Sequence, residues 1–78
     1  FVFEGKVNLT DLYRILKIKD NKIFENIKGD SETLGGFLLE QIGFFPKKNF
    51  KLKLKGIEFK VVEVNRKRIK NVMVIIKK

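Results

Sequence analysis

Cysteine and histidine are both missing from the 78 residues of this chain. Their absence removes disulfides, thiolate nucleophiles, imidazole bases and the usual zinc and copper ligands together. Carboxylates, amines and a single tyrosine are what remains for chemistry. One proline and six glycines leave long segments uninterrupted. No apolar run approaches the roughly 20 residues that span a bilayer. The opening FVFEGKV has neither a basic n-region nor an initiator methionine, so the chain reads as one piece of a longer protein.

What is present is a foldable composition. Apolar residues make up 44% of the chain and eight are phenylalanine, which excludes compositional disorder. A chain of this length buries only about 60% of the surface that its unfolded form exposes. Residues 1–78 therefore form one domain with one thin core, too small for a cofactor domain beside a substrate domain. The formal charge is +9, and its distribution is uneven. Residues 1–46 carry six basic and seven acidic side chains, whereas residues 47–78 carry twelve and two. That field attracts nucleic acid, anionic lipid or an acidic protein without distinguishing among them.

Periodicity predicts the elements. FVFEGKV alternates as a short strand. Asn8 with Asp11 three residues on resembles a capping box, followed by a helix over 9–17 with Leu9, Leu12 and Leu16 on one face and Ile15 beside them. Residues 19–30 are mostly polar; Ile23, Phe24 and Ile27 are the apolar residues that can pin this segment, with at most a single helical turn. A second helix follows, capped by Asp30 or Ser31 with Glu32 in its first turn, and carries Leu34, Leu38 and Ile42 in a stripe. Gly43 supplies its C-cap and Pro46 a stop.

After Pro46 the period is two. A turn at Lys55 and Gly56 pairs 54 with 57, 52 with 59 and 50 with 61, setting Lys53 against Glu58. A loop over 65–68 pairs 61 with 72, 59 with 74 and 57 with 76, and Glu63 with Lys70. Both hairpins place their apolar residues on one face, which specifies a three-stranded meander. The expected architecture is α+β, in the order β-α-α-β-β-β, with two helices covering an antiparallel sheet. Gly35 and Gly36 interrupt the second helix at a cost of about 2 kcal/mol relative to alanine. They either let that helix lie close to the sheet or to the first helix, or simply break it.

The string DSETLGGFLLEQIGFFPKKNFKLKLKGIEFKVVEVNRKRIKNVMVIIKK, preceded by EGKVNLTDLYRIL, is similar element for element to the C-terminal transporter-associated domain of the CorC/HlyC family. Thr33, Leu34, Gly35, Gly36, Gly43, Pro46, Gly56, Phe59, Val61, Arg68, Ile69, Val72 and Val74 occupy matching positions. The resemblance implies a fold related to a PCMH-like subdomain of FAD-binding proteins. It also implies a regulatory module behind a CBS pair, often with a membrane domain, in bacterial hemolysin-like or magnesium and cobalt efflux proteins. Such a module faces the cytoplasm at the inner membrane and modulates ion transport. No catalytic residues come with it. Two features depart from the family pattern: the polar loop from Lys19 to Asp30, and Lys47, Lys48 and Asn49 in place of a Gly-Asp-like turn.

Lys51, Lys53, Lys55 and Lys60 form the one constellation with chemical character, either a solvated outer face or a contact with anionic headgroups. A nucleic-acid surface would interleave aromatics with the charges, and Phe50 and Phe59 fall on the core face instead. A flavin or nucleotide site would need a phosphate cradle. The amides near Gly35 and Gly36 are a candidate, but GxGxxG is absent. Asp30, Glu32 and Glu40 would hold a metal only if brought together. The expectation is thus a non-catalytic domain without metal or cofactor. Its partners are the parent's CBS pair and membrane domain, a second copy or an anionic lipid surface. Phe44 and Phe45 cannot both face one core, so one is expected to be partly exposed, folded onto the sheet edge or touching a partner, with Tyr13 its neighbour or on the surface.

Overall fold

A computed structural model describes residues 1–19, 21–54 and 56–76. Its elements run β1 (Val2–Glu4), α1 (Leu9–Ile15), α2 (Lys22–Ile27), α3 (Leu34–Ile42), β2 (Lys51–Leu54), β3 (Ile57–Val64) and β4 (Ile69–Ile76). The strands form one antiparallel sheet in the order β1-β4-β3-β2, so the first strand closes against the last. The meander has the expected register: Leu52 faces Phe59, Phe59 faces Val74, and Val61 faces Val72. Lys53 lies opposite Glu58. Past Val61 the register shifts, and Glu63 comes opposite Asn71 rather than Lys70. The Lys70 ammonium still reaches the Glu63 carboxylate at 3.7 Å.

Among the described residues three helices cover the sheet, not two. Six residues are too few for a stable isolated helix, so α2 depends on what it buries. Phe24 is 2% exposed and packs against Tyr13, Phe37 and Phe59, with ring centroids 5.5, 5.7 and 6.4 Å away. The polar segment thus delivers the aromatic centre of the core. The side chain of Ile23 lies outside the described residues, as does Lys55. Tyr13 is buried rather than on the surface, and its hydroxyl donates to Glu25 Oε2 at 2.8 Å. Burial first, and the neighbouring carboxylate second, push its phenol well above the ordinary range.

Two expected caps differ from the structure. Asn8 makes no side-chain cap, and Asp11 pairs with Arg14 instead. Asn8 bridges to Thr33, and the Glu32 carbonyl accepts the Leu9 N–H at 2.8 Å, so backbone from a distant loop replaces the capping box. Neither Asp30 nor Ser31 caps α3, and Glu32 precedes it. Thr33 is the N-cap, its Oγ1 accepting from the Gly36 N–H at 3.2 Å. Gly43 ends α3 with φ +83°, and Pro46 beyond it is buried. Asn49 takes a positive φ of 76° in the departing turn, a conformation Asn tolerates better than most residues.

The glycines of α3 lie in its first turn, and they differ from each other. A methyl group on Gly35 would lie 3.1 Å from the Gly5 carbonyl oxygen, while the Gly35 N–H donates to that same oxygen at 2.8 Å. A methyl on Gly5 would clash with the Ile69 carbonyl oxygen. Helix, turn and strand therefore meet backbone to backbone at Gly5 and Gly35. The contact is with the turn after β1, not with α1. At Gly36 a methyl would approach only the Thr33 and Ser31 side chains.

Candidate functional site

Alternation along the strands sorts the sheet into two faces. Phe3, Phe59, Val61, Val72 and Val74 point into the core with Leu12, Phe24, Phe37 and Leu38 from the helices. The alternate residues lie on the opposite face, where Lys51 and Lys53 are exposed while Glu58 is buried. Across it runs the row Lys51, Lys60, Met73 and Val2, set by register. A second row contains Lys53, Glu58 and Ile75. Lys51 and Lys53 are exposed and Lys60 is half-buried, so three of the four lysines singled out by the sequence do share a face. Lys55 lies outside the described residues.

Periodicity in the lysines alone did not reveal their neighbours. Val2 is 62% exposed and Ile75 36%, giving the open face an apolar side on β1 and β4 beside the cationic side on β2 and β3. Only the pairing of β1 with β4 puts Val2 there. Phe50 and Phe59 are turned to the core as expected, so among the described residues the lysines have no aromatic between them. Phe44 and Phe45 are both exposed, and the Phe44 ring sits edge-on to Phe50 at 5.5 Å.

On another side of the molecule, the β1–α1 turn, the start of α3 and the β3–β4 turn enclose an open groove of about 670 Å³. Gly35 and Gly36 line it, as the cradle idea requires. The amides, however, are already used. Leu34 N–H donates to the Val7 carbonyl at 2.9 Å, Gly35 to Gly5, and Gly36 to Thr33 Oγ1. A phosphate at this helix start would find no donor pointing outward. Thr33 and Gly35 are thus structural residues, and Gly56 serves the β2–β3 turn with φ +78°. Among the described residues no three carboxylates gather into a group that could hold a metal ion, Asp30, Glu32 and Glu40 included. Nor is any helix among them long and apolar enough to cross a membrane.

A sheet closed by its own first strand, with a TLGG helix start locked on the turn after β1, matches a known family. The CorC_HlyC model, described as a transporter associated domain, matches residues 1–78. The chain belongs to this family. Solved structures of transporter associated domains superpose over nearly all of it. That of a CBS domain protein from Porphyromonas gingivalis is 25% identical, covers 99% of this chain and 87% of its own, and gives a TM-score of 0.86. A CorC_HlyC domain from Haemophilus ducreyi is 26% identical over 100% of this chain and 96% of its own, with a TM-score of 0.76. A region associated with a Mg2+ and Co2+ transporter from Neisseria meningitidis, 16% identical over 99% and 86%, shares the fold at a TM-score of 0.76. No curated protein matches the transporter associated domain described here.

Proposed function

We propose that this transporter associated domain is a non-catalytic regulatory module of a membrane-associated ion transporter or hemolysin-like protein. It works at the cytoplasmic face of the bacterial inner membrane, beside a CBS pair, by docking its open sheet face onto anionic lipid. The relatives named for a CBS domain protein and for a Mg2+ and Co2+ transporter support the setting. The observation that carries the docking is the face itself: Lys51, Lys53 and Lys60 beside exposed Val2 and Ile75. Lys51 lies directly opposite Lys60. Like charges so placed repel, and folding does not require them. The same repulsion opposes docking of this face against its copy in a second molecule.

Each lysine near an anionic bilayer contributes about 1 kcal/mol, so three contribute about 3. That is too weak to anchor a free domain. It is enough to bias a tethered one by roughly a hundredfold between two states of its parent. The test is co-sedimentation with phosphatidylglycerol vesicles against phosphatidylcholine vesicles. Changing Lys51, Lys53 and Lys60 together to Gln should leave the domain folded and abolish binding to the anionic vesicles. Wild-type binding should weaken steeply with salt. Binding indifferent to the triple change would make the lysines a solvated face and nothing more.

A further inference from the structure

We infer that the groove between the start of α3 and the β3–β4 turn receives an extended acidic peptide segment, held by Lys67 and Arg68 over a floor of Gly36 and Leu39. The proposal is separate from lipid docking, because none of Lys51, Lys53 and Lys60 lines this groove.

The cationic wall is built rather than incidental. Asn65 Oδ1 accepts from the Lys67 and Arg68 N–H groups at 3.0 and 2.8 Å, and the Asn65 N–H donates to the Arg68 carbonyl at 2.9 Å. The turn is therefore fixed before any ligand arrives, which lowers the ordering cost of binding. Lys6 and Lys70, also on the groove, are each engaged by a carboxylate, Glu4 at 3.2 Å and Glu63 at 3.7 Å. Lys67 and Arg68 have no acidic partner among the described residues. An anion that enters here meets two uncommitted cations, one of them able to grip a carboxylate with two parallel hydrogen bonds.

The floor selects the kind of anion. Its helix-start amides are consumed internally, so the backbone cradle that holds phosphates is missing and recognition falls to the side chains. Gly36 leaves the floor open, since beyond Thr33 and Ser31 nothing stands within 4 Å of where its side chain would be. Leu39 adds an apolar patch. Acidic side chains carried on a chain with intervening apolar ones satisfy both features, whereas a bare phosphate satisfies only the charge.

The 78-residue chain has its own closed core and is the protein to use. A fluorescein-labelled peptide of alternating Glu and Leu is titrated with it, and polarisation is read at physiological salt. Lys67→Glu/Arg68→Glu should weaken binding by about tenfold or more, because hydrogen bonds to charged groups are lost and repulsion replaces them. Gly36→Leu should weaken it comparably by filling the floor without altering charge. The Lys51→Gln/Lys53→Gln/Lys60→Gln variant should bind as wild type does. Circular dichroism melts confirm that each variant is folded; the charge reversals lie on an exposed turn and stand as the test if Gly36→Leu does not fold. Three results overturn the proposal: no peptide binding, equal loss in the open-face variant, or tighter binding of ATP or single-stranded oligonucleotide than of the peptide.

Discussion

Gly35→Ala puts a methyl group 3.1 Å from the Gly5 carbonyl oxygen, a few tenths of an ångström inside ordinary contact. The oxygen cannot simply retreat. It accepts the Gly35 N–H at 2.8 Å, and Gly5 N–H donates to the Lys70 carbonyl at 2.8 Å. Gly5 is pressed from its other side by the Ile69 carbonyl, which occupies the space of an absent Cβ. Relief must move either α3 off the β1–α1 turn or that turn off β4. Alanine gains up to about 1 kcal/mol over glycine in a helix, but overpacking a fixed contact costs about 1–3 kcal/mol. The net expectation is a loss of about 1–2 kcal/mol, a large fraction of the stability of a domain this small. Gly36→Ala gives the comparison. Its methyl meets the Thr33 hydroxyl at 3.1 Å, the end of a short side chain that can shift by a few tenths of an ångström. That substitution should be neutral or stabilising. Thermal unfolding followed by circular dichroism should separate the two alanines by about 5–15 °C, given about 4–8 °C per kcal/mol at this size. If Gly35→Ala melts as high as wild type, or if Gly36→Ala falls as far, the backbone contact does not hold the fold together as argued.

Phe24→Ala should cost about 3–5 kcal/mol, the range for emptying a buried phenylalanine site; in urea denaturation a loss below about 1 kcal/mol would mean that α2 is not pinned to the core by this ring. Tyr13 makes stability pH-dependent in one direction. Its phenol keeps its proton to higher pH when folded than the ordinary value of about 10, so its contribution is complete below about pH 10 and is lost as pH rises above it. Wild type should lose stability faster than Tyr13→Phe across that interval. Because the chain has one tyrosine, absorbance of the phenolate reports the same ionisation directly. Phenolate appearing at the ordinary pH in the folded protein would refute the hydrogen bond from the Tyr13 hydroxyl to Glu25.

The registers of the meander up to Val61, the C-cap at Gly43 and the identity of the core face follow from the sequence because they are local. A period of two needs only neighbouring residues to say which side of a strand is apolar, and two hairpin turns of set length fix who faces whom. The lysine row was legible for the same reason, down to Lys51 opposite Lys60. What depended on distant partners was not. Phe24 lies in a polar stretch with no helical stripe, and only the space between Tyr13, Phe37 and Phe59 makes it the centre of the core. Asn8 has the sequence of a cap, yet the strand-like bridge to Thr33 supplies backbone partners first. Gly35 and Gly36 look alike in TLGG; tertiary contact with Gly5 separates them, one pressed against backbone and the other open to a groove. The groove itself joins residues from both ends of the chain, Lys6 near one and Arg68 near the other. No spacing within a single segment carries that information, because the closure of β1 on β4 is what brings those segments together.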